Sequence, residues 1–156
     1  MNQEDFNSTL QKCRNLCSKS EKCAFDIKQN LIKKEVSDND IDKIIAILIK
    51  EKFIDDARYT EFFVNDKVKF NKWGKIKIRY ALNQKGINNK IISNAIDKIN
   101  NEYYFEILTD LLIQKNKTIK NKDYIQTKAA LVRFMSGRGF EYELVMKAIE
   151  THIKIK

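Results

Sequence analysis

Proline is absent from this sequence, and glycine occurs only four times. That excludes proline-rich linkers and collagen-like segments, and argues against a many-stranded β fold, whose hairpins lean on glycine-bearing turns. Histidine occurs once, as His152, so no constellation needing two imidazoles can form. The three cysteines, Cys13, Cys17 and Cys23, are odd in number and spaced Cys-x3-Cys-x5-Cys. This is neither a disulfide framework nor a zinc-ribbon spacing, and they read as small reduced thiols. A site shared with His152 would have to join opposite ends of the chain, so neither a metal nor a cofactor is expected. The longest apolar run, Ile44-Ile45-Ala46-Ile47-Leu48-Ile49, falls far short of the roughly 18 residues of a membrane span. The opening MNQEDFNSTLQK lacks the basic and apolar regions of a signal peptide. The expectation is a cytoplasmic monomer with no membrane attachment.

Charge is what the chain has in excess. Thirty basic residues face 21 acidic ones, a net of +9, and the excess is uneven. Residues 1–52 carry ten basic and nine acidic side chains, residues 53–101 carry ten and five, and residues 102–156 carry ten and seven. Between residues 67 and 96 there are eight Lys or Arg and no Asp or Glu. A charge run is most often a solvated face. One this free of acid suits a polyanion, because each neutralised phosphate releases condensed counterions. The candidate binding residues are Lys67, Lys69, Lys72, Trp73, Lys75, Lys77, Arg79 and Lys85. Lys75 and Arg79, four apart, are expected to point outward, opposite Ile78 and Leu82. Trp73 either packs a junction between helices or stacks on a base.

Apolar residues recur at three and four, predicting an all-α chain. Nine helices are expected, near 8–18, 22–35, 38–51, 55–70, 75–85, 88–100, 102–116, 123–137 and 141–153. A repeat runs through them. Leu31, Val36, Ile41, Ile44, Ile45 and Leu48 return 51 residues later as Leu82, Ile87, Ile92, Ala95, Ile96 and Ile99. They return again 53 residues on as Met135, Phe140, Val145, Ala148, Ile149 and His152. This divides the chain into three three-helix units, 1–52, 53–101 and 102–156, stacked into an elongated curved body. Gly86 and Gly139 suit the positive φ of a helix C-terminus; Glu35 holds the equivalent place in the first unit, where a weaker stop is expected. Leading helices carry the stripes Tyr59, Phe62, Phe63, Lys67, Phe70 and Tyr103, Tyr104, Ile107, Leu108, Leu111, Leu112, read as core.

Catalysis finds no support. Asp55-Asp56 reads as a helix cap with a first-turn acid, Glu141 and Glu143 as first-turn acids, and neither Gly86 nor Gly139 sits in a phosphate loop. No catalytic residue is expected. Three-helix units also invite a helix-turn-helix reading, but residues 88–100 are poor in Arg and Gln and residues 38–51 open on acids, which disfavours duplex reading.

Four segments together resemble the RecX family of bacterial regulators of the RecA recombinase. Phe53-Ile54-Asp55-Asp56-x-Arg58-Tyr59 is similar to its F/Y-L-D/N-D/E-x-R-F/Y-A pattern, with Thr60 in place of alanine. Trp73-Gly74-Lys75-x-Lys77-Ile78, then Leu82 and Lys85-Gly86-Ile87, resembles its G-x-x-x-I…L…K-G-I/V segment. Arg138-Gly139-Phe140-x-Tyr142-x-Leu144 resembles its R-G-F close. Cys17 to Leu31, with Ser20 and Glu21 before a Leu-ended helix, resembles its N-terminal helix, with Phe25-Asp26-Ile27 departing from the usual Glu-Leu. The resemblance spans residues 8–152. It implies three tandem three-helix units, no enzymatic activity, and binding to the RecA nucleoprotein filament on single-stranded DNA, in the filament groove, with inhibition the usual result. Two readings without RecA stand beside it: a stand-alone module binding single- or double-stranded DNA, and a purely structural helical-repeat protein.

Overall fold

The structure, a computed structural model, describes residues 1–154; residues 155 and 156 of the expected third unit lie outside the described residues. Every regular element described is helical. The order is α1 (Gln3–Lys19), α2 (Ala24–Lys33), α3 (Asp38–Lys50), α4 (Asp56–Asp66), a π-helical segment (Lys67–Asn71), α5 (Lys75–Gln84), α6 (Asn89–Asp97), α7 (Asn101–Thr118), α8 (Tyr124–Gly137) and α9 (Tyr142–His152). No helix among the described residues is long and apolar enough to cross a membrane. The accessible surface is 10067 Å², against about 8,200 Å² for a compact protein of this mass. The excess is that of an extended helical-repeat body.

Short polar side chains start the helices. Asn2, Ser37, Asp55, Asn100 and Asp123 each accept a backbone N–H from the first turn of α1, α3, α4, α7 and α8, satisfying donors a helix leaves unpaired. The cap on Asn2 explains why α1 begins several residues before position 8. Its first turn, with Glu4 and Asp5, is stabilised by capping and dipole rather than by an apolar stripe.

The repeat is realised in the helix ends. Val36 N–H donates to Leu31 O at 3.1 Å, Ile87 N–H to Leu82 O at 3.3 Å and Phe140 N–H to Met135 O at 3.1 Å. The preceding residues, Glu35, Gly86 and Gly139, have φ of 59°, 68° and 87°. These are three Schellman stops in one register. Glu35 therefore makes the same stop as the glycines, correcting the expectation of a weaker one; an exposed turn tolerates the modest left-handed strain. In each case the residue that closes the stop folds back on the helix just ended, and the repeated apolar positions of α3, α6 and α9 become core. Ile41, Ile44, Leu48, Ile92, Ala95, Ile96, Val145, Ala148 and Ile149 are all buried, at about 1.5–3 kcal/mol for each large side chain. Only His152 breaks the pattern: it is exposed, and Ile153 is buried instead.

Two hydrophobic clusters result. One holds α1–α3 and closes on Ile54. The other runs continuously through the remaining two trios, from Tyr59 to Ile153, and takes in Cys23 from the first. The predicted single helix over 55–70 is instead an α-helix that passes into the π-helical segment. That segment ends at Lys72, whose φ is 55° and whose Nζ donates to Lys69 O at 2.6 Å. In the regular α-helix Phe62 already lies off the face of Tyr59, Thr60 and Val64, and beyond it the wider turn rotates the stripe past Phe70. Tyr59 and Val68 are buried, but Phe62 and Phe70 are 54% and 70% exposed, so those two aromatics are not core. In α7, Tyr104, Ile107, Leu108 and Leu112 are buried as expected, while Tyr103 faces outward.

The second and third trios meet backbone to backbone. Gly74 N–H donates to Arg138 O at 2.7 Å and Ile76 N–H to Gly139 O at 3.0 Å. Between them, Lys75 N–H donates to Tyr104 Oη at 2.9 Å. A Cβ on Gly74 would lie 2.2 Å from Gly139 O, and one on Gly139 would lie 2.3 Å from Lys77 Cβ. Both positions demand glycine for close approach, whereas a Cβ on Gly137 would meet nothing within 4 Å. Gly74→Ala is expected to cost roughly 2–4 kcal/mol by forcing the trios apart, while Gly137→Ala, at the end of a helix, should be neutral or stabilise by up to about 1 kcal/mol. Urea unfolding of the two variants checks the contrast.

Candidate nucleic-acid interface and the joints that position it

The eight candidate binding residues do not form one face. Lys85 leaves the set. Its Nζ donates to Asp26 Oδ1 and to Tyr59 Oη, each at 2.8 Å, and lies over the Tyr59 and Phe63 rings. It is a structural cation between α2, α4 and α5. Burial alone would lower the Lys85 pKa, but the hydrogen bonds with Asp26 and Tyr59 outweigh it and raise the pKa above the ordinary ammonium range. Burial likewise works against ionised Asp26, yet bonds from Lys85 and from Cys23 N–H hold its carboxyl below the usual range. Cys23, buried at the same joint, has its thiol pushed up to about 11 by burial, so it is an inert packing group.

Lys75 and Arg79 were expected to point outward. Both are half-buried. Lys75 Nζ lies 4.7 Å from the Tyr104 ring centroid, and Arg79 Nη1 donates to Ser93 Oγ at 3.1 Å. The outermost residues of α5 are Ile76 and Tyr80, 57% and 66% exposed. Lys75, Arg79, Ile76 and Tyr80 line a groove that also receives Asp97 and Glu141. The acid-free stretch of sequence is thus not an acid-free surface: the fold returns two carboxylates to it.

The remaining candidates do assemble. The Trp73 ring has Lys67 Nζ 5.1 Å and Lys77 Nζ 4.6 Å from its centroid, and it meets Phe63 edge-on at 6.4 Å. Trp73 is half-buried, so it packs the junction between helices while its ring holds two ammonium groups in place. Lys69 is exposed beside it, with Nζ over the Phe70 ring at 5.3 Å. Lys72 sits between them at the end of the π-helical segment. Lys67 has a carboxylate neighbour, Asp66 at 3.9 Å; among the described residues, Lys69, Lys72 and Lys77 form no ion pair.

One contributor to this face was missed. Arg138 comes from the turn between α8 and α9. Its Nη1 donates to Asn71 O at 2.8 Å, the carbonyl just before Lys72. The only sequence signal for it was its place in the Arg138-Gly139-Phe140 segment.

The joints explain the remaining motif residues. Asp55 caps α4. Asp56 Oδ1 accepts the Ala24 N–H of α2 at 3.3 Å. Arg58 pairs with Glu21 at 2.7 Å and donates to the carbonyls of Lys52 and Phe53. Tyr59 bonds Lys85. The Phe53–Tyr59 pattern is thus the bolt between the first and second trios. At the other joint Tyr104 is buried, donates to Glu141 Oε1, and accepts from Lys75 N–H. Burial and the hydrogen bond to Glu141 hold its phenol far above its ordinary pKa.

Comparison with known proteins matches this architecture. Residues 55–96 match the RecX second three-helix domain, and residues 101–149 the RecX third three-helix domain. The chain belongs to the RecX family. It is 32% identical over 153 residues to the regulatory protein RecX of Clostridium acetobutylicum, covering 94% of this chain and 71% of that one. It is 30% identical over 149 residues to that of Clostridium beijerinckii, covering 94% and 69%. A crystal structure of RecX from Lactobacillus salivarius shares the fold with a TM-score of 0.81 at 20% identity, over 95% of this chain and 96% of that one. A second crystal structure, of a regulatory protein RecX, aligns with a TM-score of 0.84 at 19% identity, over 93% and 71%. RecX is thus a family of regulatory proteins with a helical-repeat body.

The Asp26–Lys85–Tyr59 joint makes a testable statement about stability. Asp26, with its depressed pKa, stabilises fully above the ordinary carboxylate range and loses that contribution as the pH falls through it. Lys85, with its raised pKa, stabilises fully below the ordinary ammonium range and loses its contribution only at strongly alkaline pH. Lys85→Met should cost about 1–2 kcal/mol at neutral pH. That difference from the unsubstituted protein should shrink as Asp26 is protonated, which urea unfolding at neutral pH and near pH 3 would reveal.

Proposed function

We propose that this chain regulates a RecA recombinase by binding the nucleoprotein filament that RecA forms on single-stranded DNA, and that binding lowers the filament's activity. The observation that carries the reading is the basic face around Trp73, where Lys69, Lys72 and Lys77 have no carboxylate partner among the described residues and Arg138 closes the edge. Glu21, Asp26 and Glu141 are engaged in the joints and Asp123 in a cap, while these cations form no ion pair among the described residues. A spiral of protein and nucleic acid presents phosphates and acidic side chains in a groove. An extended body with a fixed basic face suits that groove physically, with charge steering the encounter.

In this reading the second trio makes the contact through Lys67, Lys69, Lys72, Trp73 and Lys77. Lys75 and Arg79 stand on a separate groove with mixed charge, fit for a protein surface rather than for phosphate. Residues 1–52, 53–101 and 102–156 act as three units, the first and third holding the second in register with the filament. The protein works by occupancy, with no catalytic step.

The decisive experiment is RecA's ATP hydrolysis on single-stranded DNA with this protein titrated in. Inhibition below the concentration of DNA sites is expected. Lys69→Glu combined with Lys77→Glu should raise the half-inhibiting concentration by about tenfold or more, with circular dichroism unchanged. An unaffected hydrolysis rate, with folded protein in excess over DNA sites, would falsify the reading.

A further inference from the structure

The third trio carries a second basic cluster. Residues 111–140 hold seven Lys or Arg against a single acid, Asp123. The fold concentrates part of this charge around the turn from α7 to α8. Lys115, Lys120, Lys122, Arg133 and Phe134 line one concavity with Thr118, Ile119 and Ala130. No carboxylate lines it, unlike the groove beside α5. Lys120, Lys122 and Arg133 are exposed, and none forms an ion pair among the described residues.

The cluster is physically continuous with the face around Trp73. Lys115 Nζ lies 4.8 Å from the Phe134 ring centroid, and Arg138 Cζ lies 5.4 Å from the same centroid. Arg138 in turn bonds Asn71 O beside Lys72, and its neighbour Gly139 lies against Lys77 Cβ and N. Cations and rings therefore alternate across the joint: Lys67, Trp73 and Lys77 on one side, Arg138, Phe134 and Lys115 on the other. Like charges crowded in this way repel one another unless an anion lies along them. Here the rings fix the ammonium and guanidinium groups in position but leave their charge uncompensated. A row of this kind suits a linear ligand with regularly spaced negative charges rather than a single anion.

We infer that the Trp73 face and the α7–α8 turn form one track across the second and third trios that holds a single nucleic-acid strand by its phosphates, with Arg138 as the bridge. The inference extends the filament reading to the third trio, and rests on it for the choice of nucleic acid over another polyanion.

The test uses the whole protein without RecA. Binding of a fluorescein-labelled oligothymidylate is followed by anisotropy over a range of salt concentrations. Each phosphate contact on a single strand contributes about 0.7 to the slope of log affinity against log salt. Replacing Lys120, Lys122 and Arg133 with alanine should make that slope shallower by about 2 and weaken binding at least roughly tenfold at low salt. The thermal transition should not move, because all three side chains are exposed. Arginine at positions 120 and 122, with Arg133 retained, should restore both slope and affinity. An unchanged slope in the alanine variant would overturn the track, as would a native protein that fails to bind the oligonucleotide at low salt. Polyglutamate that competes as well as unlabelled oligothymidylate would overturn the assignment to nucleic acid. Failure of the filament reading shows elsewhere, as intact DNA binding with no change in RecA's ATP hydrolysis.

Discussion

The N-terminus of α5 is the point on which the arrangement of the last six helices depends. A helix start leaves backbone N–H groups unpaired, and a glycine at its cap position offers no side chain to meet them. Here the donors of Gly74, Lys75 and Ile76 are taken up by Arg138 O, Tyr104 Oη and Gly139 O, all from the third trio. One trio thus caps the helix of another. The close approach this needs is bought with two glycines, one on each side. Because Lys77, Trp73 and Arg138 flank these bonds directly, the geometry of the basic face follows from them.

The first joint is of a different kind. It is made by Asp56 on Ala24 N–H, by Arg58 with Glu21, and by Lys85 with Asp26 and Tyr59. Among the described residues, only Cys23 carries buried apolar packing across it into the larger core. The residues that resemble the family's patterns are therefore mostly joint residues. Asp56, Arg58, Tyr59, Gly74, Lys85 and Gly139 hold one trio against another. What this chain shares with its relatives along these segments is chiefly a way of stacking.

Much of the architecture was legible in the sequence, since the repeat of Leu31, Leu82 and Met135 with Val36, Ile87 and Phe140 carries the helix stops and the core together. Glu35 shows where residue type misleads: the register of the stop, set by neighbouring apolar residues, overrides the absence of glycine. The π-helical segment was not legible, because a one-residue widening of a helix leaves no compositional trace, and so Phe70 was misplaced; Phe62, in the regular helix before it, was placed on the wrong side of the buried face. The binding face was legible in part. A count of charge along the chain found Lys67, Lys69, Lys72 and Lys77 but could not see Asp26 arriving at Lys85, or Asp97 and Glu141 arriving beside Lys75 and Arg79. Asp26 and Glu141 come from elements distant in sequence, and Asp97 from the end of the next helix, just past the acid-free window. The same limit hid Arg138 and the α7–α8 turn, where one acid, Asp123, interrupts a stretch that is otherwise basic and turns out to be capping a helix.

The contrast between the two joints has a mechanical consequence. Charge–charge contacts at a partly wet boundary weaken as electrolyte is added, whereas a continuous apolar core and buried peptide bonds do not. The boundary between the first and second trios is therefore the one whose hold rests most on charge, and the one whose strength depends most on the ionic medium.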